Sequence, residues 1–262
     1  MNILDKIIEY KRGEVERQRS AVPVAALEKS AFFSRESLSL RKFLLDPEKT
    51  GIIAEFKRQS PSKGVINDKV DVKDVTRGYT EQGASCLSVL TDQHFFGGSA
   101  ADLQAARFNA IPILRKDFMI DEYQILEAKA MGADVILLIA ACLTPAEVKR
   151  LAVFARSLGL EVLLEIHSEE ELEHICAETE LVGVNNRDLK TFTVDIERSI
   201  RLSQQIPTDK ITIAESGINN VDTILHMKTA GFKGFLIGEN FMKEKDPAAA
   251  FGDFVRTLRK RN

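Results

Sequence analysis

The sequence predicts an α/β fold, a closed parallel (β/α)8 barrel with an N-terminal helical extension. Two observations carry this expectation. From Gly51 onward, eight short apolar runs alternate with longer amphipathic stretches, at 52–57, 86–91, 112–116, 135–140, 161–166, 181–185, 211–215 and 234–237. Near-continuous apolar strands joined by helices mean a parallel sheet covered on both faces. Eight such units in about 210 residues fit a TIM barrel. The second observation is that several of these runs are broken by a charged or amide residue at their carboxyl ends. An open doubly wound sheet is the competing fold, but no Gly-x-Gly-x-x-Gly follows the first strand. The expected organisation is a single domain over 1–262, with 1–48 as the extension and 49–262 as the barrel.

The extension begins with an amphipathic helix from 3 to about 19, whose stripe is Ile3, Leu4, Ile7 and Ile8. Pro23 breaks the pattern. A second helical piece covers 39–45 and stops before Pro47. Within the barrel, Thr144-Pro145-Ala146-Glu147 reads as a capping box with proline at the first helical position. Ser168-Glu169-Glu170-Glu171 reads as another. His167 and His174 flank that acidic cluster, but acids near the positive end of a capped helix explain it better than a metal site. Gly83, Gly132 and Gly231 sit where helices should end before strands, and supply left-handed C-caps.

Composition excludes several classes. The chain has 262 residues, 44% of them hydrophobic, and a net charge of -3. No basic stripe with interleaved aromatics points to nucleic acid. Cys86, Cys142 and Cys176 are too few and too scattered for a disulfide framework or a metal site, and are expected as reduced, buried thiols. No run is long and apolar enough to span a membrane, and the first residues lack a signal peptide's apolar stretch. The expectation is a cytoplasmic protein without metal or organic cofactor, a monomer or weak homodimer, whose partner is a small molecule.

The polar residues at the strand ends form a set. Side chains two apart on a strand share a face, so Glu55 and Lys57 project together at the end of the first strand. Lys116 is in phase with Leu114 on the third, Glu165 with Leu163 on the fifth, and Glu215 with Ile213 on the seventh. The sixth ends in Asn185-Asn186-Arg187. Reactive groups of a barrel lie at this rim. Carboxylates and ammonium groups so crowded have separated pKa values, which suits proton transfer. The last two strands are followed by Ser216-Gly217-Ile218 and Gly238-Glu239-Asn240. Glycines at these two places let backbone N–H groups approach a phosphate, which favours a phosphorylated substrate. After the first strand, Ser60-Pro61-Ser62-Lys63-Gly64 has the composition of a mobile loop.

These residues carry a resemblance. Ile53-Ala54-Glu55-Phe56-Lys57-Arg58-x-Ser60-Pro61-Ser62-x-Gly64, Leu90-Thr91-Asp92 with Phe95-Phe96-Gly97-Gly98-Ser99, and Leu114-Arg115-Lys116-Asp117-Phe118 with Asp121 and Tyr123-Gln124-Ile125 are three of its motifs. Leu164-Glu165-Ile166-His167, Val184-Asn185-Asn186-Arg187-Asp188-Leu189 and Ala214-Glu215-Ser216-Gly217-Ile218 are the others. The whole chain, extension included, resembles the indole-3-glycerol phosphate synthase family of tryptophan biosynthesis. The resemblance implies ring closure, decarboxylation and dehydration of 1-(2-carboxyphenylamino)-1-deoxyribulose 5-phosphate. It implies Lys116 as general acid on the carbonyl oxygen and Glu165 in acid–base work. Lys57 matches the lysine that holds the substrate carboxylate or serves as a second acid, and the division of steps between the two lysines stays open. Glu55, Asn185, Glu215 and Ser216 match supporting positions, and Ser60 and Arg187 are matched to anionic groups of the substrate. Pro61, Phe96, Phe118 and Leu189 match the apolar pocket for the aromatic ring, although Phe96 and Phe118 alone would read as core. Phosphate falls to Ser216, Gly217 and Gly238. One departure is Glu239, where such enzymes often carry a small residue or serine; the backbone must then suffice.

Three other readings remain. A Schiff-base aldolase would use Lys57 or Lys116 with a depressed pKa, and acids beside both lysines oppose that. A related barrel isomerase of the phosphoribosylanthranilate type would want a cysteine at the end of the first strand, where none stands. A non-catalytic barrel would bind a phosphate ligand without turnover.

Overall fold

The eight apolar runs become eight strands. The computed structural model describes residues 3–188 and 193–261. The barrel strands are β1 (Ile52–Phe56), β2 (Cys86–Leu90), β3 (Ile113–Lys116), β4 (Val135–Ile139), β5 (Glu161–Ile166), β6 (Leu181–Asn185), β7 (Ile211–Glu215) and β8 (Gly234–Ile237). Each pairs in parallel with the next, and β8 pairs with β1 through Ala54↔Ile237, which closes the barrel. Three strands end one residue earlier than expected, because Lys57, Thr91 and Ala140 already belong to the connections, and β3 starts one residue later, after Pro112.

Alternation along each strand builds two cores. Ile53, Leu114, Leu163 and Ile213 point inward with Cys86, Val135, Leu181 and Leu236. Their neighbours, such as Ala54, Ile113, Leu164 and Ala214, face the surrounding helices. Leu40 and Leu44, from the helix Leu40–Leu45, join the inner cluster. Leu44 reaches the start of β8, so this piece of the extension stoppers the amino-terminal end of the barrel. Ser39 caps that helix through Lys42 N–H and donates to Glu161 at the start of β5 at 2.6 Å.

The long helix α1 (Ile3–Ala21) crosses the other end. Its buried positions are Ile7, Lys11 and Val15. The predicted stripe therefore continues through a lysine, which sequence patterning alone would have placed in solvent. The Thr144 capping box forms as expected, as do left-handed glycines at 83, 132 and 231.

The second capping box does not form. Residues Glu169–His174 make a 3-10 helix, and Ser168 makes no side-chain cap. The Glu171 carboxylate is drawn instead to the His167 backbone N–H at 2.6 Å. His174 is held by the carbonyls of Leu143 and Glu171. The stretch after β1 also differs from a plain loop: Gln59–Ser60 and Gly64–Val65 pair as a two-rung antiparallel hairpin. Among the cysteines, Cys86 is buried, while Cys142 and Cys176 are half-buried.

Candidate active site

The strand phases bring the polar residues onto one rim. Lys57 Nζ lies 2.7 Å from Glu55 Oε1, as their two-residue spacing requires. Ser88, inward on β2, donates to the other oxygen of Glu55 at 3.2 Å. Lys116 Nζ donates to Glu165 and to Glu215, both at 3.0 Å. Asn185 donates to Glu165 Oε1 at 3.0 Å, and its own side-chain oxygen accepts from the Arg187 backbone N–H. Residues from β1, β3, β5, β6 and β7 thus share one cluster.

Two glycines make room for it. A Cβ on Gly183 would sit 2.1 Å from Glu215 Oε1, and one on Gly238 would sit 2.6 Å from Glu55 Oε1. Gly238 therefore admits the Glu55 carboxylate, whatever else it binds. Among the described residues, Ser216 is the non-glycine residue with positive φ, at 68°, followed by Gly217 at 70°. A serine held there is costly, and such strain gathers at functional sites.

The cluster floors a cavity of about 570 Å³. One wall is apolar: Phe96 and Phe118 pack with ring centres 5.9 Å apart, beside Pro61 and Leu90. Ser216, Gly217 and Gly238 line it at the ends of β7 and β8, and Ser60 and Arg187 line it as well. Ile3, Leu4 and Ile7 of α1 complete it.

Burial would drive the Lys116 amine toward neutrality, but the charges of Glu165, Glu215 and Glu55 outweigh it and raise its pKa well above the ordinary value. Its two acid partners separate. Burial lifts Glu215 to about 7 despite Lys116, with the Glu165 charge adding to the rise. Burial acts on Glu165 in the same direction, yet Lys116, His167 and Asn185 hold it well below the usual carboxylate range. One carboxyl that keeps its charge and one that exchanges a proton near neutral pH share a single ammonium group. That arrangement can donate and accept protons at adjacent atoms of one ligand.

The family model for indole-3-glycerol phosphate synthase matches residues 4–254. The chain belongs to the indole-3-glycerol phosphate synthase family. The enzyme class expected from the sequence, a carboxy-lyase of tryptophan biosynthesis, stands with that membership. It is 46% identical to an indole-3-glycerol phosphate synthase of Bacteroides thetaiotaomicron over 258 residues, 98% of this chain and 99% of the relative. A synthase of the same name from a Polaromonas species is 43% identical over 254 residues, 95% of this chain and 96% of the relative. Among solved structures, 3-hexulose-6-phosphate synthase from Salmonella typhimurium superposes with a TM-score of 0.63 at 10% identity, covering 80% of this chain and 99% of that one. A mutant tryptophan synthase alpha-subunit from Pyrococcus furiosus does so at 0.61 and 16% identity, over 81% and 99%. These two likenesses concern the barrel fold alone.

The residues picked out as family positions are brought together, apart from Leu189, which lies outside the described residues. Glu239, the departure from the family pattern, turns its carboxylate toward Lys63 at 3.6 Å and Arg187 at 4.0 Å. Sequence reasoning missed four contributors. Ser88 showed as a lone hydroxyl in an inward phase of β2. Lys11 showed as a charge four residues after Ile7, on the apolar stripe. The apolar start of α1 read as packing, and it walls the cavity. His167 read as a bystander to a helix cap, and it sits 3.1 Å from Glu165.

Proposed function

We propose that the chain converts 1-(2-carboxyphenylamino)-1-deoxyribulose 5-phosphate to indole-3-glycerol phosphate, carbon dioxide and water. The observation that carries this reading is the Lys116 ammonium group held between Glu165 and Glu215 on the floor of a half-apolar cavity. The aromatic ring of the substrate lies against Pro61, Phe96 and Phe118. Its phosphate takes the backbone of Ser216, Gly217 and Gly238. Lys57, with Ser60 and Arg187, meets the substrate's anionic groups. The N-terminal extension and the barrel act as one unit.

Ring closure places negative charge on the ribulose oxygen, and Lys116 supplies a proton there. Decarboxylation restores the aromatic system. In the dehydration, Glu165 takes a proton from carbon while an ammonium group, Lys116 or Lys57, protonates the departing hydroxyl. Glu55 orients Lys57, Asn185 orients Glu165, and Glu215 supports Lys116. The aldolase alternative wants a neutral amine, whereas the acids around Lys116 raise its pKa.

The test is to add the carboxyphenylamino-deoxyribulose phosphate to the purified chain and follow indole absorbance and fluorescence. The chain has no tryptophan, so its own emission is weak. Indoleglycerol phosphate should form without added metal or cofactor. Lys116→Ala should keep the fold and lose about a thousandfold in kcat. Near-normal turnover of that variant would remove Lys116 from the acid's role, and borohydride trapping of a sugar phosphate would replace the reading with the aldolase.

A further inference from the structure

His167 follows β5 by one residue and is almost wholly buried. Its ring stands between two carboxylates. Nε2 lies 3.1 Å from Glu165 Oε1, and Nδ1 lies 3.4 Å from Glu171 Oε2. The first contact is a charge contact rather than an aligned hydrogen bond, and among the described residues Nε2 has no other partner. A neutral imidazole carries one N–H, so one carboxylate would face a bare lone pair. With both nitrogens protonated, each carboxylate faces a donor.

The two acids on Lys116 differ in one respect. Among the described residues, Glu215 has Lys116 as its single hydrogen-bonding cation, and its second oxygen is buried without a partner. Glu165 has Lys116 on one oxygen, and Asn185 and His167 on the other. The surroundings of His167 reinforce this. Glu171 is fixed in place by the His167 backbone N–H. Cys142, after β4, is kept a neutral thiol by its burial, with the charges of Glu165, Glu171 and Asp5 acting the same way. The charged groups placed against the ring are thus the two carboxylates, with Lys116 beyond Glu165.

We propose that His167 is a positioning residue for the reaction: as an imidazolium held between Glu165 and Glu171, it keeps Glu165 ionised and fixed toward Lys116. Burial works against the charged ring, but the two glutamates beside it, with the Glu171 contact to Nδ1, overcome that effect and raise its pKa to about 9. The inference rests on the reading of Glu165 as the acid–base carboxyl. Glu165→Gln tests that reading by itself, since retained turnover would dismiss the role of Glu165 whatever His167 does.

The experiment is the pH profile of kcat for the parent, His167→Gln and His167→Leu, with the ring's protonation followed by nitrogen NMR on the full chain. His167 is assigned through its bonds to the backbone, so the NMR needs no variant. At pH 7.5 both its nitrogens should carry protons. In Glu165→Gln, the ring should lose its proton at a lower pH than in the parent. In His167→Gln the acidic limb of kcat should move up by about half a pH unit or more, while KM changes less than about twofold. His167→Leu should move it at least as far. A structural role alone would lower Tm and leave the limb in place. A neutral His167 at pH 7.5, or acidic limbs of folded variants that superimpose on the parent's, would overturn the proposal.

Discussion

At the scale of single residues, the site depends on side chains that are absent as much as on those present. Gly183 lies in register with Glu165 and with Ile213, the residue two before Glu215. Its missing Cβ is the space taken by the Glu215 carboxylate. In Gly183→Ala the barrel should fold, with Glu215 displaced from Lys116. A shift of this size at a reacting group costs about a hundredfold, so kcat should fall by that factor in steady-state assays. His167 makes a second residue-scale prediction, on stability. Its folded pKa of about 9 lies above the ordinary 6.5, so its contribution is full below pH 6.5 and is lost as pH rises through about 9. That difference corresponds to about 3 kcal/mol. Urea unfolding should show the advantage of the parent over His167→Gln shrinking across this range. A constant gap would mean a ring that is neutral throughout.

At the scale of elements, α1 is held by charge rather than by apolar contact alone. Lys11 Nζ lies 2.9 Å from carboxylate oxygens of Glu14, Asp92 and Asp117, and is fully buried. Asp92 also caps the turn Gln93–Phe96, and Asp117 accepts from Thr91 and Arg115. The same helix brings Ile3, Leu4 and Ile7 to the cavity. Removing one partner of a buried ion pair leaves the others unpaired, at a cost of about 3–5 kcal/mol. Lys11→Met should lose stability of that order in urea titrations. It should also raise KM more than it lowers kcat, since the wall of the pocket loosens while Lys116 and Glu165 stay on the strands.

At the scale of the whole molecule, a barrel must be closed at the end away from its site. Leu40 and Leu44 fill the amino-terminal mouth and pack on the inward side chains. Leu44→Ala should open a cavity there and cost about 2–4 kcal/mol, with kcat at permissive temperature near the parent's. Calorimetry and a turnover assay on one preparation would separate the two effects. Division of labour between the ends follows from the fold: the carboxyl rim collects polar groups, and the opposite rim collects stability.

The sequence by itself determined the eight strands, the phase of Glu55, Lys57, Lys116, Glu165 and Glu215, and the family. Period-two alternation and apolar burial are local, so each strand declares its inward face without knowing its neighbours. Tertiary structure alone decided the partners. Nothing in the spacing of Lys116, Glu165 and Glu215 says that one amine meets both acids, because the curvature of the closed sheet sets that meeting. The capping pattern at Ser168 was overruled for the same reason: Glu171 found a stronger donor in the His167 backbone and ring than in the local helix start. Lys11 looked like a solvent-facing charge until two aspartates from separate barrel loops converged on it. Charge pairing acts between residues far apart in the chain, and only the folded barrel puts them within reach.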